Sequence, residues 1–216
     1  MAVAHSGVNS ELFKEGRLSQ DEYISLAESL EQLSLLPISI NDTASISIQQ
    51  IRAQAKKMKR KGKCDIIMID YLQLMDMSRH NGKSTNDEVS ACSRAIKIMA
   101  KDLDVPVILL SQLNRAVEGR NDKRPMLSDL RDSGAIEQDA DAVIFIHRDT
   151  YYRSDTDKNK CTVIVAKNRE GRTGELDIWV DNCITIFRDE APTSNYASPG
   201  FVETIYTYSD KEAPPI

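Results

Sequence analysis

A carboxylate directly after an apolar segment is the first feature that suggests chemistry. Asp70 closes the stretch CDIIMID, whose aliphatic run predicts a strand buried in a parallel sheet. In open α/β sheets, ligands collect beyond the carboxyl ends of such strands. A carboxylate there can hold Mg²⁺, usually through water, against the phosphates of a nucleotide. Four hydrophobic residues followed by Asp is also a common pattern, so this interpretation needs support from elsewhere in the chain.

A second stretch contains the letters of a phosphate-binding loop but fails two tests. Gly82-Lys83-Ser84 would close the pattern Gly-x-x-x-x-Gly-Lys-Ser/Thr, yet Met77 stands where the first glycine is required. Without that glycine the chain cannot easily form the tight nest of amide donors. The stretch also follows the Asp70 strand instead of leaving a strand of its own. We therefore predict that Lys83 is exposed to solvent, and no other stretch supplies the loop.

The elements that must position these residues alternate between helix and strand. Ser19 with Glu22, and Ser47 with Gln50, form capping boxes that predict the starts of two helices, with a short strand, LPISIND, between them. CDIIMID, VPVILLS and DAVIFIH predict strands buried on both faces. Between the first two lies a helical stripe of core residues: Val89, Cys92, Ile96, Met99 and Leu103. The shorter segments CTVIVAK, GELDIWV and ITIFRD predict antiparallel hairpins. The order predicts an α/β sandwich with a mostly parallel sheet.

Composition excludes several classes of protein. The chain has 216 residues, enough for one sizeable core, and its 41% hydrophobic and 28% charged content is ordinary for a globular domain. No apolar run approaches the roughly 18 residues of a membrane helix, and the N-terminus lacks the pattern of a secretory signal. The four cysteines are scattered without metal-binding spacing, which favours reduced thiols in a cytoplasm.

Charge gives no global argument for nucleic-acid binding, because the net charge is −5. One segment is nevertheless strongly basic. The helix that begins after Ser47 carries apolar residues on one side and a basic face on the other: Arg52, Lys56, Lys57, Lys59, Arg60, Lys61 and Lys63. We interpret this face as solvated rather than as a nucleic-acid contact.

Several separated blocks share one resemblance. IIMIDYLQLM, VPVILLSQLNRAVEGRNDKRPMLSDLRDSGAIEQDAD, FIHRD and AKNREGRTG together resemble the C-terminal motor domain of DnaB-type replicative DNA helicases, over most of the span from about Ser19 to Asp189. More distant RecA-like recombinases would not be expected to carry SQLNR and SDLRDSGAIEQDAD in succession. The resemblance implies a RecA-like three-layer sandwich, with a mostly parallel sheet and C-terminal antiparallel hairpins.

The resemblance also implies roles in nucleotide binding and catalysis. Asp70 matches the Walker-B aspartate that supports Mg²⁺, and Gln112 matches a glutamine that senses the γ-phosphate of ATP. KNREGRTG matches a hairpin whose Lys167 and Arg169 project into the nucleotide of the neighbouring subunit, with Arg169 as an arginine finger. Without the resemblance, Gln112 would be interpreted as a polar strand end and the hairpin as a solvated turn.

LRDSGAIEQD resembles the family's DNA-binding loop, which faces a central channel. Arg131 would contact phosphates of single-stranded DNA, and Gly134 with its neighbours would offer backbone donors. Asp132 stands where an acidic residue one methylene longer is usual, so its contact is shortened. A preceding loop is also basic, and the sequence leaves open whether its cations line the channel or a subunit contact: Arg115, Arg120, Lys123 and Arg124.

The resemblance further implies how the chain is organised. Residues 1–190 match part of the ATPase domain, without the first strand and the phosphate loop, and residues 191–216 form a tail that is disordered or loosely docked. We expect exposed apolar sheet surface, a marginal or self-associating chain, and no ATPase activity when it is alone.

The intact protein is expected to bind ATP and Mg²⁺, to form a hexameric ring, and to bind primase and a helicase loader through a region upstream of the matched part. One alternative is a non-catalytic remnant that binds DNA or helicase subunits. A weaker alternative is a RecA-like recombinase or ATPase paralogue.

Overall fold

The computed structural model describes residues 1–76, 85–130, 134–149, 159–181 and 186–189. Its α-helices are α1 (Ala2–Ser6), α2 (Ser10–Lys14), α3 (Gln20–Ser34), α4 (Ile48–Lys59), α5 (Thr85–Leu103) and α6 (Gly134–Asp139). Its strands are β1 (Ile67–Ile69), β2 (Val107–Leu109), β3 (Ala142–His147), β4 (Lys160–Asn168), β5 (Gly174–Asp181) and β6 (Ile186–Arg188). No helix within these residues is long and apolar enough to cross a membrane. The Gly82-Lys83-Ser84 stretch and the predicted tail lie outside them.

Both predicted capping boxes are confirmed. The Glu22 amide donates to Ser19 Oγ at 3.3 Å, and the Ser19 amide donates to the Glu22 carboxylate at 2.8 Å. Ser47 and Gln50 make the same reciprocal pair, at 3.3 and 2.9 Å. Each box satisfies two amide groups that the first helical turn would otherwise leave without partners. These local bonds fix where α3 and α4 begin.

The predicted short strand LPISIND is wrong. Residues 37–43 have no regular secondary structure and pair with no strand in the described part of the chain. Ile38 and Ile40 are 49% and 82% exposed, and Pro37 has no amide hydrogen for a ladder. Alternating aliphatic residues favour a strand only when they pack against a neighbouring element, and this segment lies against none that would bury them.

The strands form two sheets. β1 and β2 are parallel, with Ile67 opposite Val107 and Ile69 opposite Leu109. β3, β4, β5 and β6 form an antiparallel sheet in chain order. The α/β fold with parallel strands and terminal antiparallel hairpins is therefore confirmed, although parallel pairing extends over fewer of the described strands than expected.

One face of both sheets packs on helices. The predicted stripe of α5 is fully buried, and it joins Ile48 and Ala55 of α4, Ile69 of β1, and Val143 and Phe145 of β3 in a single apolar core. Ile136 of α6 also lies in this core. The helical layer thus holds β1 and β3 together through side-chain packing.

The opposite face of the sheets is exposed, so the prediction that the strands are buried on both faces is wrong. Met68 and Ile108, which are cross-strand neighbours, are 67% and 46% exposed. On β3, Ile144 and Ile146 alternate with the buried residues and are also exposed. The expected apolar sheet surface is therefore present. These side chains would normally be covered, because burial contributes about 25 cal/mol per Å² of apolar surface.

Candidate functional site

Asp70 and Gln112 lie at the same edge of the parallel sheet. β1 ends at Ile69 and β2 at Leu109, and these two residues are register partners. The ladder continues past both ends, since the Leu110 amide donates to the Ile69 carbonyl at 3.0 Å and the Leu72 amide donates to the Leu110 carbonyl at 2.9 Å. Asp70 and Gln112 are both exposed. The fold therefore brings a carboxylate and an amide, separated by 42 positions in the sequence, to adjoining strand ends.

Gln73 connects the two strand ends, and the sequence analysis missed it. The Gln112 amide donates to Gln73 Oε1 at 3.2 Å, and Gln73 Nε2 lies 3.4 Å from the Gln112 carbonyl oxygen. The same Nε2 donates to Ser111 Oγ at 3.2 Å. A side-chain amide suits this position because it donates and accepts at once. The only sequence signal was one polar residue inside the apolar stretch YLQLM.

The segment after Gln112 returns to the neighbourhood of this edge. Leu113 and Leu130 form an antiparallel bridge, and the Asn114 amide donates to the Asp129 carbonyl at 2.9 Å. Of the predicted DNA-binding residues, Arg131 and Asp132 lie outside the described residues. Gly134 is exposed at the first position of α6. The residue before Arg131 is thus paired with the residue after Gln112.

Two arginines of the basic loop are engaged within the chain. Arg120 pairs with the buried Asp129 at 2.7 Å and donates to the Arg124 carbonyl at 2.8 Å. Arg124 donates to both carboxylate oxygens of Glu175 on β5, at 2.9 and 2.7 Å, which raises the pKa of its guanidinium. For these two cations the open choice between channel and subunit contact gives way to a role in ordering the loop.

Lys167 and Arg169 come together at the C-terminal end of α6. Lys167 Nζ donates to the carbonyl of Glu137 and lies 3.5 Å from that of Gln138. Arg169 donates to the Gln138 carbonyl at 2.6 Å, and its backbone amide donates to the Asp141 carbonyl at 2.9 Å. Cations are favourable at a helix C-terminus because the last carbonyls lack partners and carry partial negative charge. Lys167 is half-buried and Arg169 is exposed.

Acidic residues at the end of α6 anchor it to α5, which the sequence analysis also missed. Asp139 is buried, accepts from Ser93 Oγ at 3.1 Å, and pairs with Arg94 at 3.0 Å. Asp141 pairs with Lys97, and the hydrogen bond from that ammonium lowers the pKa of the Asp141 carboxyl. These contacts fix the helix that directly follows the predicted DNA-binding loop.

A polar cavity of about 320 Å³ lies on the antiparallel sheet, at residues different from Asp70 and Gln112. Its lining groups bond to one another, with Lys160 2.7 Å from Asp177 and His147 2.8 Å from Asp149. The Lys160 and Thr162 hydrogen bonds lower the pKa of Asp177. We assign it no part in the candidate site, because these ion pairs already satisfy its charges.

The donor set at the parallel strand ends fits Mg²⁺ that keeps most of its water. Asp70 supplies an exposed carboxylate, which is the hard oxygen ligand that this ion prefers. Within the described ranges, no group of three or more His, Cys, Asp or Glu side chains could hold a metal ion. A metal at Asp70 would therefore depend on water and on the phosphates of a nucleotide for its remaining ligands.

Comparison with known proteins decides the family. The family described as "DnaB-like helicase C terminal domain" matches residues 1–189. The chain belongs to this family. The replicative DNA helicase DnaB of Geobacillus stearothermophilus is 43% identical over 179 residues, which cover 82% of this chain and 39% of that protein.

Two solved structures agree with the fold. One is the ATPase domain of a DnaB-like protein, with a TM-score of 0.82 at 39% identity, over 88% of this chain and 68% of that one. The other is a DnaB-like replicative helicase studied with its interactions with primase, which also has a TM-score of 0.82, at 40% identity, over 87% and 46%. The predicted RecA-like fold and the DnaB resemblance are confirmed. The chain spans about two-fifths of the length of the curated relative.

Proposed function

We propose that this chain forms part of a motor that couples ATP hydrolysis to translocation on single-stranded DNA and to duplex unwinding. The observation that supports this best is the placement of Asp70 and Gln112 at adjoining strand ends, joined through Gln73. Open α/β folds bind their ligands beyond that edge. Since the sequence contains no phosphate loop, we also propose that the chain has no ATPase activity by itself.

Asp70 would hold Mg²⁺ through water, and the bound ion would neutralise the charge of the ATP phosphates. The exposed Gln112 side chain would donate a hydrogen bond to the γ-phosphate and lose it after hydrolysis. Its backbone is fixed by Gln73, so a change at the side chain is passed to the adjoining Leu113 and its partner Leu130. That path leads to Arg131, which would contact DNA phosphates together with Asp132 and Gly134.

Lys167 and Arg169 would act on the nucleotide of the neighbouring subunit in a hexameric ring. Arg169 is exposed and directly follows β4, next to the turn that leads into β5, so it is accessible to a partner. A guanidinium supplied in trans stabilises charge that develops during phosphoryl transfer. In this proposal both side chains leave the carbonyls of α6 when they engage the neighbour's phosphates.

The partners of the whole protein follow from the same proposal. One structural relative was solved with its interactions with primase, and we infer that this chain belongs to a cytoplasmic replication protein that binds primase and a loader through a region outside the matched part.

A chimeric helicase tests the proposal. The matched segment of a full-length family member is replaced by that of this chain, and DNA-stimulated ATP hydrolysis and unwinding are measured. Asp70→Ala and Arg169→Ala are each expected to lower kcat at least about 10³-fold, because metal support and the arginine finger act on the transition state. Arg172→Ala, in the same hairpin, is the matched control and is expected to retain activity.

The alternatives give different results in the same assays. A chimera that binds DNA but does not hydrolyse ATP would contradict the motor and support a non-catalytic remnant. Strand exchange without unwinding would support a recombinase paralogue. Hydrolysis by the purified chain alone, abolished by Asp70→Ala, would contradict the proposal that the isolated chain is inactive.

A further inference from the structure

A compact group of cations lies at the end of α4, on the edge of the sheet opposite to Asp70. Lys56, Lys57, Lys59, Arg60, Lys61 and Lys63 fall within eight consecutive positions, which we call the α4 basic cluster. α4 leads into the amino end of β1, whereas Asp70 follows its carboxyl end. The cluster is therefore separate from the candidate nucleotide site.

The backbone of the cluster is fixed by the way α4 ends. The Lys63 amide donates to the Met58 carbonyl at 3.1 Å, and the Gly62 amide donates to the Lys59 carbonyl at 3.0 Å. These two bonds form a Schellman motif, and Gly62 takes the left-handed conformation it requires, with φ of 64°. The cations on both sides of the turn are thus held in a defined arrangement.

Most of these charges are exposed and are not neutralised by carboxylates. Arg52, earlier in α4, pairs with Asp102, and Lys59 donates to the Asp104 carbonyl at 3.2 Å. In the described part of the chain no ion pair within 4 Å involves the other five members of the cluster, which are all exposed: Lys56, Lys57, Arg60, Lys61 and Lys63. A solvated helix face normally mixes both signs, so this excess favours a polyanionic ligand.

The chemistry of the cluster favours one class of polyanion. The apolar side of α4 packs into the core through Ile51, Ala55 and Met58, so the cluster offers no apolar anchor for a membrane surface. It also contains no aromatic residue, and proteins that bind single strands usually combine cations with aromatic stacking. A dense array of lysines without stacking groups fits the duplex backbone, which carries one charge per roughly 1.7 Å of axis.

We propose that the α4 basic cluster binds the phosphate backbone of duplex DNA. This contact is independent of sequence, since lysine and arginine on phosphates position a protein without reading bases. It goes beyond the proposed motor activity, which requires contact with a single strand through the loop around Arg131. The chain would hold unopened duplex at one edge while the loop contacts the unwound strand.

Fluorescence anisotropy of the full chain tests this, with a labelled duplex and labelled oligo(dT) of equal length titrated at several KCl concentrations. Lys57→Glu with Lys61→Glu is compared with Lys14→Glu plus Arg17→Glu, which changes the net charge equally at exposed sites elsewhere. The cluster variant is expected to lose at least about tenfold in duplex affinity, with the salt slope reduced by about two, while the control changes little. Circular dichroism checks folding, and Lys57→Gln with Lys61→Gln replaces the Glu variant if that one unfolds.

Three results would overturn the proposal: equal losses in the cluster and control variants, loss of oligo(dT) binding with duplex binding intact, or duplex binding that disappears only in Arg131→Ala. Binding of the cluster to phosphatidylserine vesicles in place of duplex would also overturn it. Loss of oligo(dT) binding in Arg131→Ala tests the loop of the proposed function separately, so the two proposals can fail independently.

Discussion

The Gln73 side chain bonds both backbone groups of Gln112, from a position 39 residues earlier in the chain. It accepts from the amide and lies within hydrogen-bond distance of the carbonyl, so it acts as a short piece of strand between the ends of β1 and β2. The exposed Gln112 side chain is consequently carried on a backbone that is fixed on both sides.

Gln73→Ala is expected to lower the free energy of unfolding by about 1 kcal/mol, because it removes half-exposed hydrogen bonds. It should also speed hydrogen exchange of the Gln112 amide, measured by NMR. Gln73→Glu should restore the protection of that amide, since a carboxylate still accepts from it. Gln49→Ala on the exposed surface of α4 is the control. Equal exchange rates in wild type and Gln73→Ala would contradict this role.

The exposed apolar face of the sheets is expected to cause self-association. Met68→Thr together with Ile108→Thr places two β-compatible polar side chains at a cross-strand pair and should shift sedimentation toward the monomer. Tyr23→Thr, at an exposed apolar residue of α3, should leave the distribution unchanged. If the double variant sediments like wild type, this face is not the contact.

Asp139→Ala is expected to cost about 2 kcal/mol in the free energy of unfolding. The buried carboxylate accepts from Ser93 and pairs with Arg94, and bonds to a charged group are stronger than neutral ones. Asp141→Ala, at an exposed pair with Lys97, should cost less than about 1 kcal/mol. Urea denaturation compares the two, and equal losses would mean that burial of Asp139 is unimportant.

Asp177 is expected to make stability depend on acid pH. Its folded pKa is lowered by hydrogen bonds from Lys160 and then Thr162, so its contribution is fully present above the unfolded pKa of about 4. That contribution is lost as pH falls through the lower, folded value. The thermal midpoints of wild type and Asp177→Asn should therefore differ at pH 6 and converge below about pH 4. A difference that is constant from pH 6 to pH 3 would refute this.

Local signals and regular patterns predicted much of the fold. The capping boxes at Ser19 and Ser47 depend on residues three apart, and the buried stripe of α5 depends on helical periodicity, so both are readable in one segment. The segment LPISIND failed because a strand needs a partner. The two-sided burial of CDIIMID failed for a related reason, since its second face has no covering element in the described part of the chain.

The candidate site was predicted less completely. Asp70 and Gln112 were identified from their places at strand ends and from the resemblance, and parallel pairing brings those ends together. Gln73 and Asp139 were missed because their partners lie 39 and 46 positions away, and no local pattern marks them. The bonds of Lys167 and Arg169 to α6 were likewise invisible, because a helix terminus acts through carbonyls that every residue has.

The bridge between Leu113 and Leu130 closes a long excursion of the chain at its base, and the Arg120–Asp129 and Arg124–Glu175 pairs hold its interior. Such a segment opens as one cooperative unit, since releasing the base removes the support of every internal contact. The amides of this excursion should therefore share a common opening free energy, so that fluctuations at its two ends are correlated without any rigid lever between them.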